Sequence, residues 1–399
     1  MKIFIKGLNT CPQRNHKITQ YNAFFKGNGH DIVERLEESD AAIVWTCGFR
    51  SDVRDNSLQQ LADYKSRAHG TIIATGCLPS ISPDLLDEMF GGETFAWIDD
   101  EEELQRRFGT GAMTLAEAES IYTKAALCRD ATQFRLDNPN IDVIFHDQFL
   151  QLMIAEGCPF RCTYCSERLA FPPFRSFVEI DLVETAIAQM RKLGQFDLML
   201  IADCLGEYGR DTGSSLVSLV RKLIKGEPRA RISFSNFHPL NFIQDLDNYT
   251  ALIRDGYIYH LNLPIQSASD RILGLMARQY TQSQIKMAFG RLNQLGFTNF
   301  DTHVIVGFPG ETEQDFKETL EFLLDHHPRH VLLSQFMGCD DAAAAHLPDH
   351  ISPEVMGRRS AVAEGRLRDA GILCNSEGSE IIQERLRRLN RPQSARAVL

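Results

Sequence analysis

The chain lacks any run of about 18 or more apolar residues, the length a membrane-spanning helix requires, which argues against a protein that crosses a bilayer. Its opening, Met1-Lys-Ile-Phe-Ile-Lys-Gly-Leu-Asn-Thr-Cys11, is a short strand-like run without the layout of a secretory leader. Basic residues are not in excess: 42 Lys and Arg face 53 Asp and Glu, a net charge of −11. A broadly basic surface for nucleic acid is therefore not expected. A local basic run, Arg385-Leu-Arg-Arg-Leu-Asn-Arg391, reads as a solvated helix face. Tandem repeats are missing, and so is low-complexity sequence apart from Ala342-Ala-Ala-Ala345. What remains is an ordinary globular composition, 43% hydrophobic and 24% charged over 399 residues, enough for two or three domains. The expected location is cytoplasmic.

Cysteine, by contrast, is plentiful. The ten are Cys11, Cys47, Cys77, Cys128, Cys158, Cys162, Cys165, Cys204, Cys339 and Cys374. In a reducing compartment, clustered cysteines point to metal rather than to disulfides. Cys158, Cys162 and Cys165 form a C-x3-C-x2-C run on one short loop, Gly157-Cys-Pro-Phe-Arg-Cys-Thr-Tyr-Cys165. Thiolates are the ligands of iron–sulfur clusters, normally four per cluster. Three leave one iron of a [4Fe–4S] cluster open to a small molecule. Zinc would ask for four N or S ligands, usually in two separated pairs, and no suitable fourth follows closely. The spacing resembles that of radical S-adenosylmethionine (SAM) enzymes. There SAM takes the open iron through its amino and carboxylate groups, and one electron from the cluster releases a 5′-deoxyadenosyl radical that abstracts hydrogen from carbon. Tyr164 is placed to pack either on the adenine of SAM or within its own loop.

The hydrophobic pattern predicts an α/β fold. Strands are expected at Ile3–Ile5, Ala41–Trp45 and Thr71–Ala74, with helices over 16–26 and 51–68 between them. This alternation argues for a doubly wound parallel sheet over residues 1–95. Cys11, Cys47 and Cys77 each follow one of its strands, where such sheets hold ligands, so three strand ends can deliver three thiolates to one place. Residues 96–147 read as a connector with a helix over 115–126, and Cys128 has no expected ligand role. From 148 to 345 the alternation resumes. Strands are expected at 151–154, 198–201, 231–234, 259–263, 302–306 and 330–333, and helices at 182–193, 213–225, 245–254, 270–276, 284–295 and 313–325. Six strand–helix units predict a partial (β/α)6 barrel, with catalytic groups at the C-terminal strand ends. Residues 346–399 read as a short helical tail.

The sequence resembles the methylthiotransferase family of radical SAM enzymes, which attach a methylthio group to tRNA bases or to a ribosomal protein residue. The resemblance runs over about residues 1–340 and rests on Cys11, Thr46-Cys47, Gly76-Cys77, Glu156-Gly-Cys158 to Cys165, Asp203 to Asp211, Leu263-Pro-Ile-Gln-Ser-Ala-Ser-Asp270 and Val306-Gly-Phe-Pro-Gly-Glu-Thr-Glu313 with Asp315-Phe316. It implies a second, auxiliary [4Fe–4S] cluster on Cys11, Cys47 and Cys77, from which sulfur is inserted into the substrate. It also implies two uses of SAM, as methyl donor to sulfur and as radical source. Gln266 and the backbone around Gly307 stand at strand ends where SAM could be contacted. Arg278 matches a family arginine and suits bidentate binding of the SAM carboxylate, or else makes a surface salt bridge. Gly307 to Glu313 lacks the Gly-Lys-Ser/Thr ending of a phosphate-binding loop. No catalytic side chain is singled out.

The chain also departs from the family pattern. The family's C-terminal RNA-gripping β-barrel is not recognisable, Gly338 to His346 replaces a segment rich in Ser, Pro, Arg and Gly, and Cys204, Ala268 and Phe177 stand where other residues are usual. With the acidic charge, these departures direct the expectation to a small-molecule or peptide substrate. The alternatives are a tRNA methylthiotransferase with a truncated RNA-binding module and a non-catalytic, cluster-bearing sulfur carrier. The intact Cys158, Cys162 and Cys165 argue against the carrier. Cys204 and Cys339 could touch the substrate or a cluster, although a small buried hydrophobe is the commoner fate of a free cysteine. Expected partners are a one-electron reductant such as flavodoxin or ferredoxin, and a sulfur donor.

Overall fold

The computed structural model describes residues 1–8, 11–118, 150–338 and 341–375. The first sheet holds β1 (Lys2–Gly7), β2 (Asp31–Val33), β3 (Ala41–Thr46), β4 (Thr71–Gly76) and β5 (Glu93–Thr94). All pair in parallel, in the order β2-β1-β3-β4-β5. This is a doubly wound order whose switch point lies between β1 and β3. Alternate side chains divide between two cores. Ile3, Ile43, Trp45 and Ile73 pack with Phe24 and Phe25 of helix Pro12–Gly27, while Phe4, Ala42, Val44 and Ile72 pack with Leu58 and Leu61 of helix Ser51–Arg67. Covering both faces explains the unbroken apolar run of β3, which is buried throughout.

The second sheet runs through β6 (Leu150–Glu156), β7 (Arg175–Ser176), β8 (Asp197–Ala202), β9 (Arg231–Phe234), β10 (Ile258–Asn262), β11 (Phe300–Val306), β12 (His330–Gln335) and β13 (Leu373–Asn375). Strands β6, β8, β9, β10, β11 and β12 are neighbours in that order and parallel. Helices Glu179–Leu193, Leu216–Gly226, Leu246–Arg254, Gln282–Gln294 and Glu313–His326 alternate with them. β7 adds antiparallel to β6, and β13 adds parallel to β12, so the sheet ends in two edges. This is a partial barrel of six strand–helix units with one extra strand on each side.

Every strand expected from patterning is present. The first helix begins earlier than expected because Pro12 takes its first position, where the missing N–H costs nothing. β2, β5 and β13 are too short to carry a period, and patterning gave no sign of them. Helix Asp100–Phe108 lies in the stretch read as connector, and residues 115–118 of the helix expected there form a turn. The tail holds the expected helix, Pro353–Asp369, and then returns as β13. The rest of the connector helix, Cys128, Cys339 and the basic run 385–391 lie outside the described residues. Among the described residues no helix is long and apolar enough to cross a membrane.

Candidate active site between two cysteine triplets

Three strand ends of the first sheet carry Cys11, Cys47 and Cys77. Cys11 caps helix Pro12–Gly27, Cys77 caps the short helix Leu78–Ile81, and Cys47 lies just beyond β3. Gly76 sets up the turn into Cys77. Its φ is +101°, and a Cβ there would stand 2.8 Å from the Thr46 nitrogen. The three thiols are brought together: a charge on Cys77 raises the pKa of Cys11 and of Cys47, and a charge on Cys11 raises that of Cys47. Burial is the largest cause of elevation in each, and it takes Cys77 up to about 12. Such thiols stay neutral until a metal deprotonates them.

The second triplet sits on the loop after β6, at the C-terminal end of the barrel strands. Gly157 must be a glycine: its φ is +81°, and a Cβ would lie 2.8 Å from the Phe174 Cα. Its N–H donates to Asp203 Oδ2 at 2.8 Å, from the loop after β8. Thr163 donates its N–H to the Met276 carbonyl (3.1 Å) and its hydroxyl to the Leu275 carbonyl (2.8 Å). Phe160 stacks on His238, with centroids 4.0 Å apart. Cys158 is lowered chiefly by its hydrogen bond with the buried Cys204. Cys165 is pushed up by burial.

The two triplets face each other across the seam between the sheets. Arg14 Nη2 donates to Asp203 Oδ1 at 2.7 Å, His16 pairs with Glu156 at 3.3 Å, and Ser166 Oγ donates to the carbonyls of Gly48 and Phe49 at 3.0 Å each. The charge of Glu167 raises Cys11, Cys47, Cys77 and Cys165 alike, which places it between the triplets. Burial, with Arg14 opposing and Asp203 reinforcing, pushes Glu167 itself up to about 7. Among the described residues, no three His, Cys, Asp or Glu converge closely enough to hold a single ion. A [4Fe–4S] cube does not require that, because each cysteine ligates a different iron. Two features fit an anionic cluster at each triplet. The buried Arg14 lies beside Cys77 and Cys11 and hydrogen-bonds the Cys77 thiol. Arg278 Nη1 points at Cys162 Sγ from 3.5 Å.

The remaining expected contacts are placed differently from one another. Arg278 is buried, not on the surface, and also donates to Pro264 O (2.6 Å), Tyr280 Oη (2.9 Å) and Tyr164 Oη (3.1 Å), so it braces the cysteine loop. Tyr164 packs against Ile272, Met276, Phe308 and Ala344. Gln266 has a φ of +66°, and its backbone bridges to His303 and Ile305 of β11. The Gly307 N–H is taken by Glu311 Oε2 at 2.8 Å. Ala268 and Phe177 are buried in the barrel core. Arg14, Glu167 and His238 went unnoticed in the sequence. Cys11 and Arg14, three apart at a helix start, are the one local signal.

The Radical SAM superfamily matches residues 152–323, and a family described as "Uncharacterized protein family UPF0004" matches residues 2–95. A probable threonylcarbamoyladenosine tRNA methylthiotransferase of Pyrococcus horikoshii is 31% identical over 322 residues, covering 77% of this chain and 71% of that protein. The chain belongs to the radical SAM methylthiotransferase family. A ribosomal protein uS12 methylthiotransferase RimO of Syntrophomonas wolfei is 29% identical, covering 84% of this chain and 76% of its own. Among solved structures, the radical SAM methyltransferase TsrM of Kitasatospora setae matches with a TM-score of 0.58 at 12% identity, covering 84% of this chain and 72% of that one, a likeness of fold alone. Radical SAM methylthiotransferases are enzymes that use SAM and [4Fe–4S] clusters, so this chain is one of them.

Proposed function

We propose that this enzyme forms a carbon–sulfur bond at a C–H carbon, with one [4Fe–4S] cluster on Cys158, Cys162 and Cys165 and a second on Cys11, Cys47 and Cys77. The carrying observation is the seam, where Arg14 and Asp203 pair at 2.7 Å and join the loops of both triplets. When loaded, the cluster with SAM supplies one-electron C–S cleavage and a radical able to take a hydrogen atom. The chain's own part is to hold the two cysteine sets face to face. Arg278 braces Cys162 and Tyr164, Asp203 fixes Gly157, and Ser166 ties the loop after Cys165 to the loop after Cys47. The group added is sulfur or methylthio. A flavodoxin- or ferredoxin-like reductant and a sulfur donor serve the reaction.

The substrate in this proposal is a small molecule or a peptide, on the strength of the −11 net charge. The relatives' names favour a second reading, tRNA. Tight, salt-sensitive binding of bulk tRNA would decide for tRNA. The two-centre reading predicts about eight irons per chain after anaerobic reconstitution. Replacing Cys11, Cys47 and Cys77 by Ala should leave about four. Retention of the full complement would overturn the auxiliary site, and a reduced protein that yields no 5′-deoxyadenosine from SAM would overturn the enzymatic role.

A further inference from the structure

Cys204 is a thiol that the two-cluster reading leaves without a task. It stands just beyond β8 and is 2% exposed. β6 and β8 run in parallel with Ala155 opposite Ala202, so the loops that follow them leave the barrel side by side. Asp203 locks that pairing by accepting the Gly157 N–H at 2.8 Å. The Cys204 carbonyl accepts the Glu207 N–H at 3.3 Å, which closes a tight turn and fixes the residue's backbone. Held in this way, the Cys204 thiol shares a hydrogen bond with the Cys158 sulfur, which also takes the Phe160 N–H. The other two sulfurs of the triplet have donors of their own. Arg278 Nη1 lies 3.5 Å from Cys162 Sγ, and the Arg168 N–H serves Cys165.

Charge sets the direction of the shared hydrogen bond. A cysteine bound to iron has given up its proton. A second thiolate in contact with it, away from water, would be opposed by both burial and repulsion. Cys204 therefore keeps its proton and can only donate. Hydrogen bonds to the sulfurs help to set the potential of an iron–sulfur cluster. A donor favours the reduced form, whose sulfurs carry more negative charge.

We propose that Cys204 is a positioning residue of the SAM centre, its S–H donating to the Cys158 thiolate and raising the reduction potential of the cluster, so that the electron needed for SAM cleavage enters more readily. The inference rests on the assignment above of a [4Fe–4S] cluster to Cys158, Cys162 and Cys165. Cys204 acts through Cys158 and is not itself a ligand.

The test uses the full chain, reconstituted anaerobically and titrated with a low-potential reductant and mediators, while iron content and the electron paramagnetic resonance spectrum are followed. The reduced signal that added SAM alters marks the SAM centre, and its potential is then measured without SAM. Cys204→Val removes the donor at similar bulk, and Cys204→Ser keeps a donor. In Cys204→Val the ratio of reduced to oxidised SAM centre at a fixed potential should fall about threefold or more, with iron and the other signal unchanged. Cys204→Ser should stay closer to the parent than to Cys204→Val. Should Cys204→Val fail to fold, Cys204→Ala is judged by the same criterion. An unaltered ratio in the donor-free variant overturns the proposal, as does a Cys204→Ser that matches it. Loss of about four irons from the donor-free variant also overturns it, because Cys204 would then be a ligand. A parent in which SAM alters no signal removes the cluster assignment itself, and the proposal with it.

Discussion

The loop after β11 contains a carboxyl group whose titration should be visible in the stability of the whole protein. Glu311 accepts the Gly307 N–H and Arg359 Nη1, each at 2.8 Å, and its side chain is 3% exposed. Arg359 is shared with Glu313, 3.0 Å from Nη2. Burial outweighs the Gly307 N–H and the Arg359 charge, and raises Glu311 from 4.5 to about 7. A carboxyl raised in the folded state keeps its proton where the unfolded chain has lost it. Its contribution to stability is full below pH about 4.5 and disappears as the pH climbs through about 7. At 1.36 kcal/mol per pK unit, the rise corresponds to about 3 kcal/mol. Glu311→Gln keeps the shape and cannot ionise. Loss of the charge facing Arg359 displaces its stability curve without giving it this slope. Urea unfolding of the metal-free protein between pH 4.5 and 8 should show the variant gaining about 3 kcal/mol on the parent as pH rises. Parallel profiles for the two proteins would refute the argument.

Three further outcomes follow from the geometry. Gly157→Ala places a Cβ against the Phe174 backbone and should cost about four irons, leaving the auxiliary complement intact by iron analysis. Thr312→Ala removes the hydroxyl that caps helix Glu313–His326 through the Asp315 N–H, and should lower stability by about 1 kcal/mol in urea. Arg278→Met removes the brace on Cys162 and Tyr164, and iron should leave the SAM site at least tenfold faster under a chelator, with little change at the auxiliary site.

The frame of the molecule was legible because long strands and helices write their period into the sequence. β3, β6 and β11 are runs of six or seven residues with apolar or alternating character, and each announces itself. β5 is two residues long and cannot. The cysteines were legible by type and spacing, and three of them by following strands. Arg14 was not, because a lone arginine on a helix ordinarily reads as a solvated face; only the fold puts Trp97 and Asp203 around it. Ala268 and Phe177 show the converse. Their neighbours in sequence lie near strand ends, yet both side chains turn into the core. Periodicity tells which residues are inside an element, and says little about what a loop residue meets from a distant part of the chain.

The seam has a consequence for how this protein can be taken apart. Arg14 and His16 belong to the first ninety-odd residues, while Asp203 and Glu156 belong to the barrel. Cutting the chain between them would strand a guanidinium and a carboxylate, each made for the other, on raw surfaces. Neither half is then a portable module. A chimera that borrows its amino-terminal sheet from another member will work only if the lender also supplies a cation for Asp203.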